Sequence, residues 1–241
     1  PSTANGDESG SKDYSTTNPI FGVLYRVTPT LNAYFNYGKG FETPTFAEIA
    51  YRLDPVSGTF APGLNFDLKP MKSDNYEVGV KSLLGEATKL TAAAFFIKTK
   101  DEIVPLLNQG GRTIFQNATR SERKGLEVGI ETEFREGLSG YLALTYLDAE
   151  FTKDFTSRTV TPTSTTVRNV PSGNKLPATP EVAVYGEIAW KKPAWSGFST
   201  AFEMRHNGKV YVDDVNSDSA DSYTIFNLRA GLEQKVGQWR F

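Results

Sequence analysis

Residues 74–97 read DNYEVGVKSLLGEATKLTAAAFFI. Tyr76, Val78 and Val80 alternate with Glu77, Gly79 and Lys81. Gly85-Glu86-Ala87 then turns the chain, and Leu90, Ala92, Ala94 and Phe96 return on one face. Period-two alternation on both sides of a short turn predicts a β-hairpin. The same unit recurs outward in both directions. Phe21, Val23, Tyr25 and Val27 are followed by Thr28-Pro29-Thr30 and then by Leu31, Ala33, Phe35 and Tyr37. Leu126, Val128, Ile130 and Phe134 are followed by a turn near 135–139 and then by Leu142, Leu144 and Tyr146. Val182, Val184, Ile188 and Trp190 turn at Lys191-Lys192-Pro193 into Phe198, Phe202 and Met204. Phe226, Leu228, Ala230 and Leu232 follow, and a tenth strand is expected to begin at Trp239. Residues 1–18 carry no apolar period and are expected to be a polar loop or tail.

Connection lengths alternate. Short turns are expected near 28–30, 85–87, 135–139, 191–197 and 234–238. Long polar segments are expected at 38–73, 104–123, 151–180 and 207–222. Long loops are uncommon within one compact domain, and here they all fall at one end of the hairpins. That asymmetry matches an outer-membrane β-barrel, and strands of about 9–12 residues suffice to cross a bilayer when tilted. The non-apolar face carries charge: Glu127, Glu131 and Glu133 in one strand, Glu77 and Lys81 in another, Glu203 and Arg205 in a third. A polar lumen accounts for this, and so does a soluble antiparallel sheet with one wet face. Tyr76, Phe134, Tyr146, Trp190 and Phe198 near strand ends fit an interfacial aromatic girdle. Ordinary strand propensity also places aromatics there.

Composition narrows the class. The chain has 241 residues, a net charge of −2 and a single histidine, His206, which gives no surface for nucleic acid. Cysteine is absent, which excludes disulfides, thiolate zinc sites and a thiol nucleophile. The longest nearly apolar stretch, 90–97, is far short of the ~20 residues a membrane helix needs. Aromatic residues are 12% of the chain and 21 residues are glycine, an all-β balance. No signal segment opens at Pro1, so a processed or cut end is expected there. The short Gln238–Phe241 strand predicts a cut at the other end, because an open sheet cannot span lipid.

Four strings resemble TonB-dependent outer-membrane receptors. Tyr37–Glu48 (YGKGFETPTFAE) resembles that family's "GF..P...E" segment. Leu68-Lys69-Pro70 followed by Ser73–Lys81 resembles its "L.PE.S..YE.G.K" strand, with Met71 where Glu is usual. Phe115–Ala118 leading to Lys124–Glu127 resembles "..NA....R.GVE". Gly173–Pro180 resembles "G..LP..P". They occur in the family's order over residues 37–180.

The resemblance implies a fold and a function. The fold is an all-β, antiparallel up-and-down transmembrane barrel of 22 strands with an N-terminal plug. Residues 19–241 would be about ten C-terminal strands, truncated at both ends, with the plug absent. The function is TonB-dependent uptake of a scarce ligand in the outer membrane, ferric siderophore first among ferric siderophore, haem, cobalamin and oligosaccharide. The implied partners are outer-membrane lipid, the chelate, and TonB through the missing plug. No cofactor, resident metal or catalytic residue is implied.

Anionic chelates need cationic and aromatic contacts. The candidates are Phe46, Tyr51 and Arg52 in the first long loop, Asn108, Gln109 and Arg112 in the second, and Tyr211 in the last. Two other classes remain open. One is a passive porin-like channel. The other is an omptin-like protease using His206 with the following loop's Asp213, Asp214 and Asp218. The clusters Asp213-Asp214 and Asp218/Asp221 also offer oxygen ligands for calcium, without EF-hand spacing. Gly38, Gly40, Gly110 and Gly111 form no phosphate loop, having no helix to open.

Overall fold

The computed structural model describes residues 10–54, 56–233, 235–236 and 239–240. Residues 10–18 have no regular structure, and residues 1–9 lie outside the described residues. Nine strands follow one another as neighbours in one sheet. They are β1 (Ile20–Thr28), β2 (Leu31–Glu42), β3 (Met71–Leu84), β4 (Thr88–Gln109), β5 (Arg112–Glu133), β6 (Leu138–Phe151), β7 (Val182–Lys192), β8 (Phe198–Asn207) and β9 (Tyr223–Gly231). Every adjacent pair is antiparallel. Chain order equals spatial order, so the sheet is an up-and-down meander.

Register puts the alternating sets on common faces. Phe35 pairs with Val78, Val78 with Ala94, Ala94 with Leu126, and Leu126 with Tyr146. On the far side Ile188 pairs with Phe202 and Phe202 with Leu228. This apolar face is open: Val78 is 55%, Leu126 54%, Ile188 59% and Leu228 77% exposed. An apolar surface spanning nine strands is incompatible with water as its only neighbour and fits lipid. The opposite face holds Glu77, Lys81, Glu127, Glu131, Glu203 and Arg205. Polar contacts tie it across strands. Lys89 meets Glu131 at 3.3 Å, Arg229 bridges Glu187 at 3.0 Å and also Glu203, and Tyr185 donates to Glu187 at 2.8 Å.

Three expectations change. Residues 104–123 are not a loop. β4 and β5 are each 22 residues long and meet at a two-residue turn. Gly110 (φ 58°) and Gly111 (φ 75°) both take the left-handed conformation such a tight hairpin turn demands. Strands of that length reach about 70 Å. A tilted strand crosses lipid in ~9–11 residues, so about half of this hairpin stands outside the membrane. Second, the segment 43–70 holds one turn of helix, Phe46–Ile49, capped reciprocally by Thr45 and Glu48. Third, Trp239–Arg240 adds no tenth strand to the sheet; it pairs with Lys235–Val236 in a ladder of its own.

The hydrophobic core lies above the lipid band. Leu68, Val104, Leu107, Ile114, Ala149, Phe151, Phe155, Val170 and Leu176 are buried there, while Ala201 is the one buried apolar residue elsewhere among the described residues. A loop hairpin, Phe155–Val160 with Thr165–Val170, docks on β4 through a parallel pairing of Leu107 with Arg158. Barrel strands need no central apolar core, since lipid takes one face. The outer layer faces water and must bury its own.

The opposite end has short turns. Gly137 carries φ 78° beside the carbonyl of Lys191, well inside contact distance of any added Cβ. Gly137→Ala is expected to cost about 1–3 kcal/mol. The urea midpoint of the refolded protein checks this, with Gly85→Ala (positive φ, open space) as the less affected comparison.

Candidate ligand-binding face

All the long connections and the tall hairpin meet at one end, and the candidate residues lie there. The helix cap at Thr45 points the chain so that Phe46 stands 77% exposed. Arg52–Leu53 pairs with Phe60–Ala61. Asp54 closes that small hairpin by accepting from the backbone N–H groups of Val56 (2.8 Å) and Ser57 (3.3 Å), which hold its carboxyl below the usual range. Arg158 reaches across from the loop hairpin to the carbonyl of Gly58 at 2.9 Å.

Two of the sequence candidates, Tyr51 and Arg112, come together through a third residue. The Arg112 guanidinium lies 5.6 Å from the Tyr51 ring and 4.8 Å from the Phe60 ring, and the two rings are 5.1 Å apart. This is a cation–π cluster joining the hairpin tip to the first long loop. Arg52, the neighbour of Tyr51, donates from Nε to the Pro62 carbonyl at 2.7 Å. It also lines a cavity of about 600 Å³ with Asn65, Asp67, Lys69, Asp101, Gln116 and Asn117.

That cavity is held by a clasp. Asn117 Nδ2 donates to the carbonyls of Lys69 (2.8 Å) and Asp101 (2.9 Å), while its Oδ1 accepts from the Lys69 N–H at 2.6 Å. Asn65 donates to the Phe115 carbonyl at 3.2 Å. Below it, Glu102 is buried and paired. Arg123 Nη2 lies 3.2 Å from Glu102 Oε1, Ser121 donates to Oε2 at 2.5 Å, and Arg123 also donates to Thr99 and Ser121.

Of the other candidates, Gln109 is the cross-strand partner of Arg112 at the end of the hairpin ladder, with Asn108 opposite Thr113 one step below. Asn108 and Gln109 belong to β4 and Arg112 to β5, so none sits in a loop, as the sequence reading had placed them. Asn108 accepts from Thr113 at 2.7 Å, and the buried Gln109 Oε1 has no hydrogen-bond partner. Tyr211 lies across the outer layer, with Lys209 4.5 Å over its ring, beside a cavity of about 350 Å³ that His206 and Lys175 also line.

His206 and the acidic loop have separate partners. His206 Nδ1 bonds Thr224 at 2.9 Å, while Asp213 pairs with Arg168 at 3.1 Å and with Ser217. Burial pushes Asp213 up, but the Ser217 and Arg168 contacts outweigh it and hold the carboxyl low. Burial, then the neighbouring Asp213, holds Asp214 above the usual range. Among the described residues no three His, Asp or Glu side chains converge as a metal site.

Phe60, Asn65 and the Glu102–Arg123 pair carry no sequence signal of a site, and Asn117 stands out in the sequence only within the Phe115–Ala118 string, with no binding role attached. The Gly110-Gly111 dipeptide between polar flanks was the available hairpin signal. It would have placed Arg112 at a tip and Asn117 on a strand.

A family model described as "TonB dependent receptor-like, beta-barrel" matches residues 1–241. Metal-pseudopaline receptor CntO of Pseudomonas aeruginosa is 31% identical over 149 residues, covering 61% of this chain and 19% of that protein. The ferrioxamine receptor of Yersinia enterocolitica is 24% identical over 236 residues, covering 96% of this chain and 28% of that protein. Among solved structures, the ferric yersiniabactin uptake receptor FyuA from Yersinia pestis aligns with TM-score 0.64 at 19% identity, over 88% of this chain and 29% of that one. The siderophore receptor PiuA from Acinetobacter baumannii aligns with TM-score 0.64 at 20% identity, over 91% and 29%. These two structural likenesses establish the fold alone. The chain spans less than a third of each of these four proteins.

Proposed function

Because this chain belongs to the TonB-dependent receptor-like β-barrel family of outer-membrane receptors, we propose that it is part of a transporter for a ferric siderophore or similar metal chelate. The whole receptor would carry a plug and the TonB-engaging segment outside these 241 residues. The family match carries this reading, and the relatives named for siderophores and metals support it. The outer face would capture the chelate, and the polar inner face would line the route opened when the plug rearranges. The motion is gating, with no bond chemistry.

Within the outer face, Arg112 with Tyr51 and Phe60, flanked by Arg52, is our first contact set. A guanidinium offers in-plane donors to a hydroxamate, catecholate or carboxylate oxygen while its face stacks on rings. Phe46, Asn108, Gln109 and Tyr211 would be peripheral contacts.

The test is ferric-chelate binding to the purified full receptor, read by fluorescence quenching. Arg112→Ala is expected to weaken an anionic chelate about tenfold and a neutral one about twofold or less, as loss of one charge-assisted contact predicts. Equal affinities in wild type and variant would remove Arg112 from the site. Steady single-channel conductance without chelate would favour the porin-like alternative. Peptide cleavage abolished by His206→Ala would favour the protease.

A further inference from the structure

Register places two guanidiniums and one orphaned oxygen on a single face of the outer layer. At the end of the tall hairpin Arg112 pairs with Gln109, and Ile114 with Leu107. The loop hairpin adds a third strand in parallel, with Val160 opposite Gln109 and Arg158 opposite Leu107. Residues directly opposite one another across a ladder share a face, as do alternate residues along a strand. Arg112, Gln109 and Arg158 therefore look the same way, together with the buried Leu107 and Ile114. The contacts agree. Arg112 lies over the Tyr51 and Phe60 rings, and Arg158 Nη2 donates to the Gly58 carbonyl at 2.9 Å. Both arginines thus close on the small hairpin of Arg52–Leu53 and Phe60–Ala61. By strand spacing their Cα atoms are about 12 Å apart, with Gln109 between them.

Two features of this face are unfavourable in the protein alone. First, among the described residues neither guanidinium meets a carboxylate; one has ring faces and the other a neutral carbonyl. Asp54 is the one acid in the segment 51–61, and it accepts from the backbone N–H groups of Val56 and Ser57 instead. Second, Gln109 Oε1 is the only buried side-chain oxygen or nitrogen without a hydrogen bond among the described residues. A buried acceptor left unpaired carries its full desolvation cost, and such groups are rare outside sites that use them.

We propose that Arg158 is a second cationic contact for the chelate and that Gln109 is the acceptor between the two arginines. The inference rests on the chelate-transport reading above and deepens it. The ligand class is a chelate with anionic oxygens at its edge and an N–H or O–H donor beside them. In the empty receptor Arg158 is held by one neutral acceptor, the Gly58 carbonyl. A hydrogen bond to an anionic oxygen is roughly twice as strong as one to a neutral acceptor, so an anionic chelate draws Arg158 off Gly58. The small hairpin then loses that tie to the loop hairpin and uncovers Gln109, whose oxygen gains a donor from the ligand. Arg112 keeps its place on the two rings.

The test is binding to the purified full receptor of two ferric probes, an anionic tricatecholate and a neutral trihydroxamate, both carrying amide N–H groups. Arg158→Gln keeps a donor for Gly58 and removes the charge. It is expected to weaken the tricatecholate about tenfold and the trihydroxamate about twofold or less. Arg158→Lys should stay within about threefold of wild type for the tricatecholate, because the charge is retained. Equal weakening of both probes in Arg158→Gln would make the residue a tie to Gly58 only and overturns its role as a contact.

Gln109→Leu gives two readouts of opposite sign. Without chelate, amide hydrogen exchange at the tip of β4 and β5 should slow about fivefold, since the orphaned acceptor is gone. Both probes should nevertheless bind about threefold or more weakly. Faster exchange, or unchanged affinity, removes Gln109 from the site. Arg112→Ala separates this proposal from the reading beneath it. Affinity lost in Arg112→Ala and kept in Arg158→Gln overturns the second contact and leaves chelate binding standing. Failure of the wild type to bind either probe refutes both.

Discussion

Leu142→Arg is expected to cost the receptor about 2–4 kcal/mol in a bilayer, while Thr145→Arg on the same strand costs close to nothing. Both residues lie in β6. Leu142 sits midway along the outward set Leu138, Gly140, Leu142, Leu144 and Tyr146, pairs with Ile130 and Gly186, and is 41% exposed. If that exposure is to lipid, a guanidinium there lies near the bilayer midplane, where its desolvation is hardest to relieve. Thr145 pairs with Glu127 and Ala183 on the opposite face, so an arginine there meets a carboxylate and the lumen. The measurement is the urea midpoint of receptor refolded into phospholipid vesicles. Equal costs at both positions would mean the two faces see the same medium. A larger cost at Thr145 would reverse the assignment of inside and outside.

Arg123→Ala is expected to destabilise the outer half of the β4–β5 hairpin by about 2–3 kcal/mol, somewhat below the ~3–5 kcal/mol of a fully enclosed pair. The discount follows from geometry, since the Arg123 side chain keeps 29% exposure against 12% for Glu102. The loss arises chiefly from Glu102. Without Arg123 it retains one hydrogen bond, from Ser121 at 2.5 Å, and is left as a buried carboxylate without its cation. Adding Glu102→Gln to Arg123→Ala should therefore recover more than half of the loss, a non-additivity that a double-mutant cycle measures directly. Simple additivity would show that the two side chains act independently. Chelate affinity should fall as well, because this pair lies beneath the cavity wall that Asp101 and Asn117 build.

The strand plan was legible because lipid-facing strands carry their signal in period two. Val78, Leu126, Leu144 and Phe202 each declare a face without knowledge of the partner strand, and register then joined those faces as the alternation required. Lengths were legible only inside the membrane. Above it, β4 and β5 run through Asp101, Glu102, Asn117 and Arg120, which read as polar loop because both faces of the protruding hairpin meet water or other loops. The bulge at Asp101 (φ 58°) also breaks the alternation there. The buried Val104 comes from the segment 104–123 and Phe151, Phe155 and Val170 from 151–180, and no local pattern announces that they meet.

The candidate site was legible in part for the same reason. Charge and aromatic type selected Tyr51, Arg52 and Arg112, and Tyr51 and Arg112 do converge. Phe60 lies nine residues beyond Tyr51, across a turn closed by Asp54. Only the backbone geometry of that turn brings it under Arg112. The clasp of Asn117 on Lys69 joins residues 48 apart in sequence, a relation that strand pairing alone does not encode.

The central claim is that this barrel segment belongs to an energised receptor. The most direct test is uptake of radio-iron-labelled ferric hydroxamate and catecholate chelates by cells producing the full receptor, with and without functional TonB. The account predicts saturable uptake of at least one chelate that falls to background when TonB is lost. It also predicts that uptake weakens in Arg112→Ala at low chelate concentration. Uptake that rises linearly with chelate concentration and persists without TonB would contradict it and leave a passive channel in its place.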